Sequence, residues 1–285
     1  SLTLFEIVNV IIYSGFKPVF VDNKKNSFDT EIDLDNHSKD LNDLAVILIT
    51  HLNGINKNIY NITKQIQDHN KNKEKIYLIE DCAVSLGAED NSKKIGTYGD
   101  FSFLSFNIMK NITCYTGGVL IDNLKSMDFT KTSRCKELNK VSILRKIIFV
   151  IILQILNSRI FFPIFFQVIK ISYKFSINIF LRKYRTDFEV AIQKKFPSKY
   201  SYFMHPFQKE ILINQFKTID DLQNSRIKKS EIYFNGLKNI NDLFFPQTIF
   251  TKENIFLDFP ILCTSKNVKN DLFFYLTGNN IDVKN

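Results

Sequence analysis

Three side chains in the first half of the chain have the types and settings that chemistry requires: Asp81, Ser105 and Lys110. Asp81 closes the apolar run "KIYLIED", and a carboxylate at the end of a buried strand is costly unless a cation or hydrogen-bond donors meet it. Lys110 follows the run "GDFSFLSF" and precedes Gly117 and Gly118, which let the chain turn back. A desolvated amine on such a loop can lose its proton and act as a nucleophile or a base.

One cofactor, pyridoxal 5'-phosphate (PLP), has a use for all three groups. A buried aspartate keeps the ring nitrogen of PLP protonated, so that the ring withdraws electrons from the reacting carbon. Lys110 would form a Schiff base with the cofactor aldehyde, and the Ser105 hydroxyl would bind the phosphate. Each residue taken singly has a plainer explanation, because a lone lysine after a strand is usually a surface residue and a lone aspartate there usually caps a turn.

The elements that must position these residues alternate between helical and strand patterns over the first 120 residues. The runs "LFEIVNVIIYSG" and "NIYNITKQIQDHN" predict helices, and the first closes on Gly15. The runs "KPVFVD", "DLAVILITHLNG", "KIYLIEDCA" and "GDFSFLSF" predict buried strands. This alternation predicts an α/β fold with a mostly parallel central sheet flanked by helices. Ligands of such sheets bind beyond the carboxyl ends of the strands, where His51, Asp81 and residues 105–110 fall.

Residues 142–183 are apolar almost throughout, with basic residues at both ends and with Arg159 and Pro163 inside. The longest run without a charge, residues 147–158, is 12 residues long and therefore too short to cross a bilayer. Two interpretations stay open. The segment forms buried helices or a partner interface, or it forms a helix pair that lies in a membrane interface.

The rest of the chain returns to amphipathic helix from residue 201, followed by short strands in "NIFLDFPILC" and a last helix in "VKNDLFFYLTGNN". These patterns predict a smaller C-terminal α+β domain. The predicted division is a large α/β domain over residues 1–140, an apolar helical connection over 141–200, and the small domain over 201–285.

Composition excludes several classes of protein. The net charge is +9, but the lysines are spread along the chain without the basic stripe and interleaved aromatics of a nucleic-acid-binding protein. The four cysteines show neither C-x-x-C spacing nor a nearby histidine cluster, which argues against a disulfide framework or a metal site and favours the cytoplasm. They are Cys82, Cys114, Cys135 and Cys263.

The motifs, taken in order, resemble the DegT/DnrJ/StrS-type sugar aminotransferases, a branch of the fold-type-I PLP-dependent enzymes. "SGFKPVFVD" is similar to the family strand G-x-x-P-V-F-V-D, and "THLNG" to its H-x-x-G loop. "IEDCAVSLGA" and "GTYGDFSFLSFNIMKNIT" resemble E-D-x-A-x-x-x-G-A and G-x-x-G-D-x-x-x-x-S-F-x-x-x-K-x-(I/L)-T. The later helix keeps the family spacing between Arg226 and Tyr233.

The resemblance implies a fold-type-I PLP-dependent transferase in which Lys110 carries the cofactor, Asp81 pairs with its ring nitrogen and Ser105 binds its phosphate. It also implies transfer of an amino group from an amino acid donor, typically glutamate, to a nucleotide-linked keto-sugar. Related members that dehydrate sugars replace the lysine with histidine, so the presence of Lys110 favours transamination. A homodimer is expected, because a second subunit completes the site in this family.

The chain departs from the family pattern at several positions. Val84 stands where the family usually has Gln or His, Thr116 where an acidic residue often precedes the glycine pair, and Leu4 where an aromatic often stacks on the ring. The stretch "YFMHPFQ" replaces an Asn-Tyr-Arg-like stretch that reaches into the partner's site. The resemblance further implies a longer N-terminal segment with a phosphate-binding Gly-Thr or Gly-Ser pair, so the chain is expected to be trimmed at both ends.

Two other functions compete with the aminotransferase. A non-catalytic relative that keeps the fold as a scaffold or a membrane-associated partner would account for Val84, Leu4 and the apolar segment 142–183. A flavodoxin-like binding module would make the spacing of Asp81, Ser105 and Lys110 accidental. The leading hypothesis places the enzyme in the cytoplasm, with peripheral membrane contact through residues 142–183 as an open alternative.

Overall fold

A computed structural model describes residues 3–22, 32, 44–128, 136–174, 197, 202–246, 249–281 and 283. The strands are β1 (Val46–Thr50), β2 (Tyr77–Asp81), β3 (Glu89–Asp90), β4 (Lys93–Lys94), β5 (Phe101–Ser105), β6 (Gly118–Asp122), β7 (Lys136–Glu137), β8 (Tyr202–Phe203), β9 (Leu243–Phe244) and β10 (Leu262–Cys263). The α-helices are α1 (Phe5–Tyr13), α2 (Ile59–Asn70), α3 (Lys140–Leu156), α4 (Phe162–Lys174), α5 (Pro206–Phe216), α6 (Ile219–Leu237) and α7 (Lys266–Gly278).

The central sheet has four strands in the order β1-β2-β5-β6. β1, β2 and β5 are parallel, as the buried apolar runs predict, and β6 returns antiparallel to β5. The register sets Thr50 opposite Asp81, and Asp81 opposite Phe103. The carboxyl ends of the three parallel strands therefore meet at one edge of the sheet.

The core beside this sheet is an isoleucine-rich cluster. Helix α2 turns Ile59, Ile62 and Ile66 inward, at helical spacing, onto the sheet residues Ile47 and Ile49. All five side chains are at most 8% exposed, so their packing supplies much of the hydrophobic stabilisation of the sheet. The helices predicted for α1, α2 and α7 are confirmed, and Gly15, with φ of +82°, follows the end of α1.

Two strand predictions are wrong. Residues 17–22 belong to no strand in the described part of the chain, and Val19 and Phe20 are 72% and 59% exposed. Apolar composition alone does not make a strand, since each strand needs a neighbour to hydrogen-bond its backbone. In "NIFLDFPILC" only Leu262–Cys263 forms a strand, paired with Leu243–Phe244.

The strands on either side of helices α3 and α4 pair with each other. β7 and β8 are parallel neighbours, with Lys136 opposite Tyr202. Helices α3 and α4 lie between them in sequence, and no helix among the described residues combines the length and apolarity needed to cross a membrane. From residue 202 onward three helices and short strands follow, as expected for an α+β unit. The domain boundaries at residues 140 and 200 stay predictions.

Candidate active site

The three predicted site residues lie where the sheet topology brings strand ends together. Asp81 is the last residue of β2, Ser105 is the last residue of β5, and Lys110 lies on the loop that follows β5. Thr50, the last residue of β1, is the register partner of Asp81. This is the edge at which parallel α/β sheets bind ligands.

The Asp81 carboxylate is buried at 2% exposure, and the Ala83 amide donates to its Oδ1 at 3.0 Å. Burial raises the pKa of Asp81, although the Ala83 amide, the His51 ring, the Thr50 hydroxyl and the Lys110 amine all act in the opposite direction. The Lys110 amine is therefore within electrostatic reach of this carboxylate. A buried carboxylate with so few donors is stabilised when a cation binds beside it.

The Thr50 hydroxyl connects Asp81 to the N-terminal part of the chain. It hydrogen-bonds Asp81 on one side, and its oxygen lies 3.2 Å from the Thr3 hydroxyl oxygen on the other. This link was not predicted, because Thr50 reads in sequence as the polar end of an apolar strand. Its only sequence signal is its place beside Asp81 once parallel pairing is assumed.

Glu80, the neighbour of Asp81, lies in a complete hydrogen-bond shell. Its oxygens accept from the amides of Gly96, Tyr98 and Gly99 at 2.8, 2.8 and 2.7 Å, and His51 Nε2 lies 3.3 Å from Oε2. Burial on its own would raise the pKa of Glu80, but His51 and the amides outweigh it and lower that pKa. Glu80 is therefore ionised at neutral pH and ties β2 to the loop before β5.

His51, Glu80 and Cys82 lie close enough for their donor atoms to fall within 4.8 Å of one another. Burial raises the pKa of the Cys82 thiol, so the sulfur stays protonated and is a poor metal ligand. Glu80 already accepts three amide hydrogen bonds. This cluster fits a hydrogen-bonded core better than a metal site. One polar atom of this cluster, His51 Nδ1, is buried and has no hydrogen-bond partner among the described residues.

Lys110 lies on a tight loop that is closed at both ends by backbone hydrogen bonds. The Phe106 amide donates to Gly117 O at 2.9 Å, and the Cys114 amide donates to Phe106 O at 3.1 Å. Phe106 is 1% exposed and anchors the loop in a second apolar cluster. Met109, just before the lysine, has φ of +71°, a left-handed conformation that turns the chain sharply.

The glycine pair after this loop is required by the packing. Gly117 has φ of +100°, and a Cβ there would lie 2.9 Å from Met204 Cγ. A Cβ on Gly118 would overlap Leu104 O of the paired strand β5. The predicted turn at these glycines is confirmed, and it lets β6 run back along β5 beneath the lysine loop.

The Ser105 hydroxyl is half-buried at the end of β5, opposite Gly118. It makes no hydrogen bond within the described part of the chain. These residues fit PLP in chemistry: a buried carboxylate for the ring nitrogen, an amine near it, and a hydroxyl at the same edge of the sheet for the phosphate.

Two glutamines from α5, which were not predicted, hold the segment after Lys110. Gln208 Nε2 donates to the carbonyls of Cys114 and Thr116 at 2.9 and 3.1 Å. The Gln215 amide accepts from Thr113 N at 2.9 Å and donates to Thr113 O at 2.6 Å. Partners roughly a hundred residues apart leave no local signal in the sequence.

Residues 1–143 match the model of the DegT/DnrJ/EryC1/StrS aminotransferase family. The matched range covers half of the chain and contains Asp81, Ser105 and Lys110. The chain belongs to this family.

Among curated relatives, the chain is 32% identical to GDP-perosamine synthase of Escherichia coli O157:H7 over 127 residues, which are 45% of this chain and 33% of the relative. It is 29% identical to the UDP-4-amino-4,6-dideoxy-N-acetyl-beta-L-altrosamine transaminase of Campylobacter jejuni serotype O:23/36 over 146 residues, 51% of this chain and 36% of the relative. The matches thus span about a third of the length of these relatives.

Solved structures confirm the fold. AtS13 from Actinomadura melliaura superposes with a TM-score of 0.64 at 16% identity, over 97% of this chain and 62% of that one. Helicobacter pylori PseC, an aminotransferase of pseudoaminic acid biosynthesis, superposes with a TM-score of 0.61 at 16% identity, over 98% of this chain and 61% of that one. The predicted α/β, fold-type-I transferase architecture is therefore confirmed.

Proposed function

We propose that the full-length protein is a PLP-dependent aminotransferase that moves an amino group from an amino acid, with glutamate as the expected donor, to a nucleotide-linked keto-sugar. The observation that carries this proposal is the meeting of Asp81, Ser105 and Lys110 at the carboxyl edge of the sheet in a chain of this family. When bound, PLP supplies an electron sink for the carbon that gains or loses nitrogen.

Each of the three residues has one task in this proposal. Lys110 holds the cofactor and carries the proton between substrate carbon and cofactor, which requires an amine on a short, anchored loop. Asp81 binds the protonated ring nitrogen, and that cation offsets the cost of burying its carboxylate. Ser105 donates its hydroxyl to the phosphate. The roles of all three residues rest on their placement and chemistry together with the family pattern.

The substrate class is proposed from the relatives. GDP-perosamine synthase and the UDP-linked transaminase are named for nucleotide sugars, and a Salmonella typhimurium relative, 31% identical over 133 residues, is named as a lipopolysaccharide biosynthesis protein. We therefore propose a nucleotide-linked keto-sugar that serves surface polysaccharide or related amino-sugar synthesis.

We further propose a homodimer and a cytoplasmic setting. The stretch "YFMHPFQ" stands where relatives reach into the partner's site, and Tyr202 and Phe203 in it are 46% exposed each. The cytoplasmic setting is proposed from the sequence, whose four cysteines lack the spacing of a disulfide framework.

A second function is favoured by specific residues. Leu4 is 54% exposed and lacks the ring that would stack on the cofactor, and Val84 has no polar group to contact it. A scaffold that keeps the fold without chemistry would show both features. In a scaffold no cofactor cation would offset the cost of burying the Asp81 carboxylate. The burial of Asp81 therefore favours the catalytic proposal.

The test is a transamination assay of the full-length protein with PLP, glutamate and a panel of GDP- and UDP-linked keto-sugars. The proposal predicts 2-oxoglutarate and an amino-sugar nucleotide in equal amounts with at least one substrate. A folded protein that consumes no glutamate with any of them would favour the scaffold. Lys73→Ala, an exposed lysine before β2, is the matched control for Lys110→Ala.

A further inference from the structure

Helices α3 and α4 lie in the segment between β7 and β8, and α4 contacts the end of α7, where Lys170 Nζ donates to Gly278 O at 3.1 Å. The two ends of the segment meet where Lys136 lies opposite Tyr202, and its described residues, 138–174 and 197, add no strand to the central sheet. The family match ends at residue 143, only four residues into α3. The α3–α4 pair, helices Lys140–Leu156 and Phe162–Lys174, thus lies almost wholly beyond the matched range.

The α3–α4 pair presents apolar side chains to the outside. Its buried apolar side chains are Ile143 on α3 and Phe165, Phe166 and Ile169 on α4. Twelve large apolar side chains are exposed: Val141, Leu144, Ile148, Phe149, Ile151, Ile152, Ile155, Ile160, Phe161, Ile164, Val168 and Ile171. An exposed apolar patch of this kind marks a surface that binds a partner or a membrane.

The charges of the same segment have one sign. From residue 138 to residue 174 the sequence contains six basic residues and no acidic residue. The basic residues are Lys140, Arg145, Lys146, Arg159, Lys170 and Lys174. Apolar runs flanked by basic residues fit the boundary between acyl chains and anionic headgroups.

We propose that the α3–α4 pair docks the protein on an anionic lipid membrane surface, with its apolar face in the acyl boundary and its basic residues at the headgroups. A second copy of the chain fits the patch less well. It would bring the same six positive charges to the contact, and like charges across an interface are unfavourable. Docking at a membrane goes beyond the proposed transamination and does not depend on it.

The test is co-sedimentation of the full-length protein with vesicles of phosphatidylcholine alone or mixed with phosphatidylglycerol. We expect binding to the mixed vesicles that weakens as salt is raised, because surface attraction is screened. Ile148→Glu with Ile151→Glu removes binding, whereas Ile232→Glu, on the exposed side of α6, leaves it unchanged. Arg145→Glu weakens it roughly tenfold, and Lys228→Glu on α6 does not.

Two results would overturn this proposal. One is protein that stays in the supernatant with both vesicle types at low salt. The other is concentration-dependent self-association that Ile148→Glu with Ile151→Glu abolishes, together with equal binding of both vesicle types. The second result would identify the patch as an interface between copies of the chain.

A separate observation, the glutamine contacts of α5, carries a second inference. Gln208 and Gln215 lie seven residues apart, which is two helical turns, and both hydrogen-bond to residues 113–116 from one side of α5. This hydrogen-bonded segment begins three residues after Lys110. Gln208 is fully buried, so its amide cannot be replaced by water without rearrangement.

We infer that Gln208 and Gln215 are positioning residues that set the place of the Lys110 amine through the segment 113–116. The reason for positioning the Lys110 amine rests on the proposed function, but the hydrogen bonds of Gln208 and Gln215 do not depend on that function. The matched control is Asn70, whose amide likewise exchanges two hydrogen bonds with a single residue, Ile76, each at 2.9 Å. Ile76 precedes β2, at the opposite edge of the sheet from Lys110.

The readout is the pH profile of Lys110 acylation by limiting acetic anhydride, followed by mass spectrometry of the cofactor-free full-length protein. We expect Gln215→Met and Gln208→Met to shift this profile, and Asn70→Leu to lower the thermal midpoint without shifting it. Profiles that stay at the wild-type position in both glutamine variants would overturn the inference. If the wild type binds no PLP, the proposed function fails while this readout still decides the positioning role.

Discussion

Glu80 and Asp81 are adjacent carboxylates at the end of β2, but they differ in their hydrogen-bond partners and in the direction in which their pKa is shifted. Glu80 accepts three backbone amides and faces His51, and its pKa is lowered. Asp81 accepts one amide and the Thr50 hydroxyl, and burial raises its pKa. Glu80, with its complete shell, ties β2 to the loop before β5. We propose that Asp81, with its incomplete shell, binds a ligand.

The largest expected effect is on catalysis and falls beside the incomplete shell. Lys110→Ala removes the amine that we propose holds the cofactor and carries the proton, so we expect turnover to fall by at least about a thousandfold. The unfolding free energy should change little, because the side chain is only half-buried. Initial rates with glutamate and urea unfolding, both compared with Lys73→Ala, check the two halves of this prediction.

The complete shell predicts a loss of stability. In Glu80→Gln an NH₂ group meets backbone N–H donors, so we expect a loss of about 3 kcal/mol in the unfolding free energy of the cofactor-free protein. Urea unfolding measures it, and Glu74→Gln, on the exposed loop before β2, serves as the control. A loss no greater than that of the control would contradict a structural role for Glu80.

Asp81→Asn should raise the unfolding free energy, whereas Glu80→Gln should lower it. Because burial raises the pKa of Asp81, the ionised carboxylate is less favourable in the folded chain than in the unfolded one. The cofactor-free variant should therefore be more stable at neutral pH, by about 1 kcal/mol, while it loses PLP affinity and activity. A variant that is less stable, or that binds PLP as the wild type does, would contradict the assignment.

The opposite effects of the two carboxylates on stability should both fade in acid. The lowered pKa of Glu80 gives stability that is present above its unfolded pKa and is lost as the pH falls through the folded pKa. The raised pKa of Asp81 works the other way, because protonation at falling pH relieves the cost of its charge. In unfolding measured against pH, the advantage of Asp81→Asn should shrink in acid, as should the deficit of Glu80→Gln.

The smallest effect is expected at Ser105. Ser105→Ala removes one hydroxyl from the proposed phosphate site. A hydrogen bond to a charged group is worth enough that we expect about tenfold weaker PLP binding. Fluorescence titration with PLP measures the change. Ser142→Ala, at the start of α3, is the control and should bind PLP as the wild type does.

Much of the site could be predicted from the sequence because it depends on short-range order. The apolar runs that end at Thr50, Asp81 and Ser105 define parallel strands, and parallel pairing brings their ends together. The glycine pair marks the start of β6, because a residue with a side chain at position 118 would overlap the Leu104 carbonyl oxygen. These features are periodic or local, so they survive in a single sequence.

The rest could not be predicted because it depends on distant partners. Nothing near Gln215 indicates that it pairs with Thr113, and nothing near Glu80 distinguishes its shell from that of Asp81 until Gly96, Tyr98 and Gly99 are placed. The segment at residues 17–22 has the composition of a strand, but whether a segment forms a strand and buries its side chains depends on its neighbours in space, and here Val19 and Phe20 are exposed.

The central claim is that the incomplete shell around Asp81 and the amine of Lys110 exist to hold PLP. The most direct test adds PLP to the purified full-length protein, records the visible spectrum, reduces with borohydride and maps the modified residue by mass spectrometry. The account predicts a visible band and a reduced cofactor attached to Lys110, with neither in Lys110→Ala. A well-folded protein that shows no band, or a cofactor fixed mainly to other lysines, would contradict it.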